Sequence, residues 1–224
     1  MAIKPILFNT EMVRAILDGR KTCTRRICKD ANECTVPDME FYNADRRTYA
    51  VHNFADKEHM EQLSTAERTC PICPGDILYV RETWHKYIKR VGESCHLAEF
   101  YGYKASIANS EDAGEPWHPS IHMPKEAARI WLKVTDVRVE RLNEITGDGV
   151  LREGAQGIRC DHVALGEHGC TDCMNTGWIE PPQVEFMQIW NSTIKKADLD
   201  RYGWDANPWV WVIEFERCEK PEGV

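Results

Sequence analysis

"NTEMVRAILDGRKTCTRRI", residues 9–27, decides how the chain begins to fold. Met12, Val13, Ile16 and Leu17 recur at helical spacing and share one face, so the stretch opens as an amphipathic helix that Asn9 or Thr10 can cap. Gly19 stands where a helix ends in a left-handed residue, and Lys21 belongs to the turn that follows. From there the chain reads as a strand, with Thr22, Thr24 and Arg26 on one face and Cys23, Arg25 and Ile27 on the other. Four basic side chains, Arg20, Lys21, Arg25 and Arg26, are thus gathered at a helix-to-strand exit in a chain of net charge -8. A solvated surface patch is the plain reading of such a run.

Further strands are expected in "KPILF" (4–8), "PGDILYVRETW" (74–84), "ARIWLKVTDVRVERL" (128–142) and "NPWVWVIEFERC" (207–218). "NEITGDGVLREG" (143–154) reads as a short helix and "VEFMQIWNSTI" (184–194) as an amphipathic one. Residues 28–70 read as a polar insertion with a helix near 55–68, and residues 85–125 as loop. This irregular alternation, without repeats or a βαβ rhythm, points to an α+β fold: a mixed, mostly antiparallel sheet or barrel with peripheral helices. A length of 224 residues suits one domain spanning 1–224, with insertions at about 28–70, 85–125 and 158–180.

No apolar run approaches the roughly 18 residues of a membrane helix, and "MAIKPILFNT" lacks the pattern of a signal peptide. The expectation is a cytoplasmic protein without a membrane partner, whose ten cysteines are not disulfides. The acidic balance argues against broad duplex binding, which rests on a basic surface.

"ILDGRKTCTRR", "PGDILYVRETW", "VERLNEIT" with "REG", and "NPWVWVIEF" together resemble the ASCH domain family, most of all its members from phages and prophages. The resemblance implies a PUA-like mixed β-barrel, to which residues 28–70 and the cysteine-rich excursion are additions. One small bacterial member of the family is an N4-acetylcytidine amidohydrolase. Its Gly-Arg-Lys-Thr-x-Thr-x-Arg motif is matched by Gly19, Arg20, Lys21, Thr22, Thr24 and Arg26. The resemblance therefore implies Lys21 and Thr24 as catalytic residues, with Glu153 as the third, reached from Leu142 without a gap. The implied activity is removal of an N-acyl group from a cytosine-type nucleoside or modified nucleobase. Other PUA-like domains are proposed RNA binders, so a non-catalytic module reading RNA, single-stranded nucleic acid or a nucleotide stands beside the enzyme.

The residue types suit the chemistry: amide hydrolysis needs a nucleophile, a base and an acid for the departing amine. Lys21 acts as base only if neighbouring cations or burial bring it down from roughly 10.4. Arg20 and Arg26 are candidates for binding substrate, as are Arg81, Glu82 and Trp84 at a strand end. Trp131, Trp190 and Trp211 read as core, whereas Trp84 and Trp117 lie near loops and suit a pocket wall.

"CDHVALGEHGCTDC" (160–173) resembles a zinc-ribbon knuckle and makes four soft ligands available locally. Structural zinc on Cys160, His162, Cys170 and Cys173 is the expectation, with His168 the substitute for His162 and a cluster of thiols the alternative. Cys70 and Cys73 form a second Cys-x-x-Cys, which could join Cys34 or complete the later site.

Overall fold

The computed structural model describes residues 1–42, 46–58, 61–92, 96–107, 116–161, 173–174 and 176–223. Its elements begin with β1 (Ile3–Leu7), α1 (Thr10–Leu17), β2 (Cys23–Ile27), α2 (Lys29–Asn32), β3 (Val36–Phe41), β4 (Thr48–Phe54) and β5 (Gln62–Thr69). They continue with β6 (Ile77–Arg81), β7 (Trp84–Val91), β8 (His96–Tyr103), β9 (Trp131–Arg141), α3 (Gly147–Arg152) and β10 (Ile158–Arg159). The last are β11 (Trp178–Glu180), α4 (Pro182–Thr193), α5 (Leu199–Tyr202) and β12 (Trp209–Cys218). The class is mixed α+β.

Helix α1 forms where its apolar stripe and cap require it. Asn9 accepts a hydrogen bond from the Met12 backbone, and Val13 and Ile16 are buried. Gly19 closes the helix at φ +76°, in the left-handed region that a side chain would strain.

The chain divides into two compact units, each assembled from separated segments. The first comprises Met1–Gly19, Pro74–Thr135 and Phe215–Val224. In it β1 lies parallel to β6, and β6 antiparallel to β9, with Ile77, Met123, Ala127 and Trp131 in its core. Strands β7 and β8 pair from Trp84↔Tyr103 to Val91↔His96, so much of the stretch expected as loop is a hairpin. Its residues are largely exposed, and an exposed ribbon carries little of the apolar alternation by which strands are recognised.

The second unit comprises Arg20–Cys73 and Asp136–Glu214. Here β12 runs antiparallel to β2, setting Val212 opposite Arg25 and Ile213 opposite Thr24. Helices α3 and α4 cover the Val210 and Val212 side of β12 through Val150, Phe186 and Trp190. Strands β3, β4 and β5 form a separate antiparallel sheet. The helix expected near 55–68 is therefore corrected: residues 62–69 are β5, held by backbone pairing to β4. The charged, exposed side chains of that stretch supply no apolar stripe to hold a helix down.

Strand β9 neighbours β12, and β12 neighbours β2, where the order ends with a single neighbour. The described strands therefore form open sheets and no closed barrel.

Candidate active site

Contacts of the turn after Gly19 fix the basic stretch to the end of α3. The Thr22 N–H donates to the Arg152 carbonyl at 2.9 Å, and Arg20 Nη1 to the Gly154 carbonyl at 2.7 Å. Thr146 caps the start of α3 by accepting from the Gly149 N–H, and Glu153 is the C-cap residue. Gly149 has a packing role: a Cβ there would lie 3.1 Å from Ile145 Cγ1 and 3.4 Å from Arg25 Nη2. Its missing side chain lets α3 approach Arg25 closely.

Lys21 Nζ donates to Glu153 Oε2 at 2.5 Å and to the Glu153 carbonyl at 2.9 Å. The two side chains are 0% and 5% exposed. Arg25 meets the other carboxylate oxygen, Glu153 Oε1, at 3.2 Å and reaches Glu140 Oε1 at 2.5 Å. Glu140 also accepts from Arg138 at 3.3 Å, Arg138 pairs with Glu214 at 2.6 Å, and Glu214 accepts from Arg152 at 2.7 Å. Arg152 Nε donates to the Thr22 hydroxyl at 3.3 Å and so returns to the basic stretch. Lys21, Arg25, Arg138 and Arg152 thus alternate with Glu153, Glu140 and Glu214. The expectation that crowded cations would activate Lys21 by mutual repulsion gives way to a different arrangement. A carboxylate stands between each cation and the next, and Glu153 is a direct acceptor for the Lys21 proton.

Thr24 and Arg26, two residues apart on β2, share one of its faces. Arg26 Nη1 donates to Thr24 Oγ1 at 2.8 Å and to the Arg25 carbonyl at 3.0 Å. Burial pulls the Arg26 guanidinium below its ordinary range, and Glu153 works in the opposite sense. Burial, with Glu153 adding to it, pushes the Cys23 thiol up to about 12. A buried amine and carboxylate sharing a hydrogen bond can exchange a proton, and a guanidinium on a hydroxyl oxygen can stabilise negative charge there.

Of the residues named from sequence, Lys21 touches Glu153, Arg20 binds the neighbouring Gly154 carbonyl, and Thr24 is joined to Arg26. Arg81, Glu82 and Trp84 belong to the first unit and have partners there. Arg81 donates to the carbonyls of Met123, at 2.9 Å, and Ile121. Buried Glu82 holds Arg129 through two bonds of 2.9 and 3.0 Å. Trp84 lies 5.2 Å from the His118 ring and 5.8 Å from Tyr101, and Trp117 stacks on His85 at 4.5 Å. Trp131, Trp190 and Trp211 are buried, as their apolar surroundings implied. Sequence reasoning had Arg25 only as one of the basic run and missed its partner Glu140. The available signal was alternation: Arg25 faces away from Thr24, and Arg138 and Glu140 alternate with Val137 and Val139 on β9.

The zinc expectation is corrected. His162, Cys170 and the substitute His168 lie outside the described residues. Among the described residues no group of three or more His, Cys, Asp or Glu side chains could hold a metal ion. Cys160 and Cys173 are buried beside a two-stranded ribbon, in which Arg159 pairs with Trp178 and the Cys160 N–H donates to Gly177. Cys70 and Cys73 direct their sulfurs at the carbonyls of Ile72 and Cys70. Spacing alone placed thiols near one another in sequence without fixing the tetrahedral set that zinc needs.

No protein-family model, curated protein or solved structure matches the chain. Among the described residues no helix is long and apolar enough to cross a membrane.

Proposed function

We propose that the chain is an ASCH-type amidohydrolase, PUA-like in an open-sheeted form, that removes an N-acyl group from a cytosine-type nucleoside or modified nucleobase. The observation that carries the reading is the buried 2.5 Å contact between Lys21 Nζ and Glu153 Oε2, made by the turn that bears the motif. Lys21, once it has passed a proton to Glu153, takes one from the Thr24 hydroxyl or from a water, and the oxygen adds to the acyl carbonyl. Arg26 meets the developing negative charge. The carbon–nitrogen bond then breaks as the departing amine receives the proton, handed on from Lys21 through Glu153. If Thr24 carries the acyl group, water releases it as the carboxylic acid along the same proton route.

Incubating the purified protein with a panel of acylated nucleosides, N4-acetylcytidine among them, and reading products by mass tests this. The enzyme releases the free nucleoside and the acid. A second reading, a non-catalytic binder of RNA or nucleotides, is favoured by one feature: the charge of Lys21 is answered within the chain, as in a structural ion pair. A folded protein inert toward the whole panel, yet binding RNA or nucleotides, supports that reading instead.

A further inference from the structure

We propose that a cavity of about 660 Å³ bounded by β3, β9 and Trp209 is a second ligand site, for an uncharged planar heteroaromatic ring. Its size is that of a small-molecule site. Lys21, Thr24 and Glu153 do not line it, so the site stands independently of the proposed hydrolysis. Phe41, Tyr42, Trp209 and the thioether of Met39 supply walls suited to a flat ring.

Trp209 is fixed before any ligand arrives. Asn32 accepts from its backbone N–H at 2.9 Å and donates to its carbonyl at 2.8 Å, while the Arg141 guanidinium lies over its ring at 4.5 Å. Phe41 is braced by Tyr49 at 5.8 Å and Trp211 at 6.2 Å. The Trp209 indole N–H is buried without a hydrogen-bond partner, so its resonance is a sensitive reporter of changes at this wall.

Charge selects the ligand class. The two cations on the wall, Arg46 and Arg138, are already answered. Arg46 pairs with Asp136 at 2.7 Å, and Arg138 with Glu214 at 2.6 Å, Glu140 at 3.3 Å and Asp136 at 3.5 Å. Asp38 adds another carboxylate to the wall. A phosphate would be repelled by Asp38 and by the carboxylates that already neutralise both cations, whereas an uncharged ring meets no such repulsion.

The test follows the tryptophan indole N–H resonances of isotopically labelled protein during titration with caffeine, adenosine and adenosine monophosphate. Trp209→Phe identifies the Trp209 signal. Tyr42→Ala perturbs the wall at a side chain that is 46% exposed, where folding depends on it little. Both uncharged compounds are expected to shift the Trp209 signal with Kd of about 0.1–1 mM. Tyr42→Ala is expected to weaken them about tenfold, and the monophosphate to bind less tightly than adenosine. An unmoved Trp209 signal with both uncharged compounds, unchanged affinity in Tyr42→Ala, or tighter binding of the monophosphate would each overturn the proposal. Hydrolysis plays no part in this readout, so it is decided whatever the acylated nucleosides do.

Discussion

The Lys21 ammonium sits out of water with its nearest opposite charge at 2.5 Å, and that geometry sets what substitutions there do. Removing one partner of a buried pair leaves the other charge uncompensated, at a cost of about 3–5 kcal/mol. Lys21→Ala is therefore expected to lower thermal stability visibly in calorimetry, and its loss of activity then reports folding as well as chemistry. Thr24→Ala is the cleaner variant. It deletes one hydrogen bond, costing about 1 kcal/mol and shifting Tm by about 2–4 °C, while hydrolysis falls about a hundredfold or more. Cys23 supplies a pH-dependent prediction. Its thiol is pushed up to about 12, so the contribution of the neutral form is complete below the ordinary value of 9.0 and is lost as pH rises toward 12. Iodoacetamide at about pH 8 is expected to leave Cys23 unlabelled in the folded protein and to label it in urea, as mass spectrometry of the digest would show. Labelling of the folded protein at that pH would contradict this placement.

Helix α3 and strands β2, β9 and β12 hold the alternating charges, and the ends of these elements show what sequence reading can reach. The entry through α1 into β2 was legible because an apolar stripe, a capping Asn9 and a left-handed Gly19 all act within a few residues. Glu153 came from the family resemblance, by a gapless count from Leu142, and the structure adds that Thr146 caps the start of α3 and Glu153 its end. The Arg25–Glu140 contact was not legible, because it joins residues far apart in sequence and leaves no local trace. Strands β5, β7 and β8 were missed for the opposite reason: their exposed residues carry little periodic apolar signal. At this scale Glu214 makes stability depend on pH. The Arg152 hydrogen bond holds its carboxyl below the ordinary value of 4.5, with burial opposing and Arg138 adding to the effect. Stability from this group is present above the ordinary value and lost as pH falls through the lowered one. As pH falls below the ordinary value of 4.5 the wild type is therefore expected to lose stability more steeply than Glu214→Gln in urea titrations. Equal slopes would show that the Arg152–Glu214 contact contributes nothing to the folded state.

Over the whole chain, 36 acidic residues outnumber 28 basic ones, and the second unit uses its excess locally by setting carboxylates between cations. A basic run that looks like a nucleic-acid patch in sequence becomes an internally answered network. Tight, sequence-independent binding to long duplex DNA at physiological salt is accordingly not expected, and a filter-binding titration would show it if present. The two compact units, each drawn from separated segments, are a partition that no linear pass along the chain displays. The composition nonetheless pointed to the α+β class, because strand-like and helix-like runs alternate without a βαβ rhythm. Everything proposed about activity converges on a proton passing between Lys21 and Glu153. The decisive quantity is kcat/KM for N4-acetylcytidine in the wild type against Glu153→Gln, with calorimetry confirming that both are folded. The expected result is release of cytidine and acetate by the wild type and a loss of about a hundredfold or more in the variant. Equal rates in the two proteins, or a folded wild type that releases no cytidine, would contradict it.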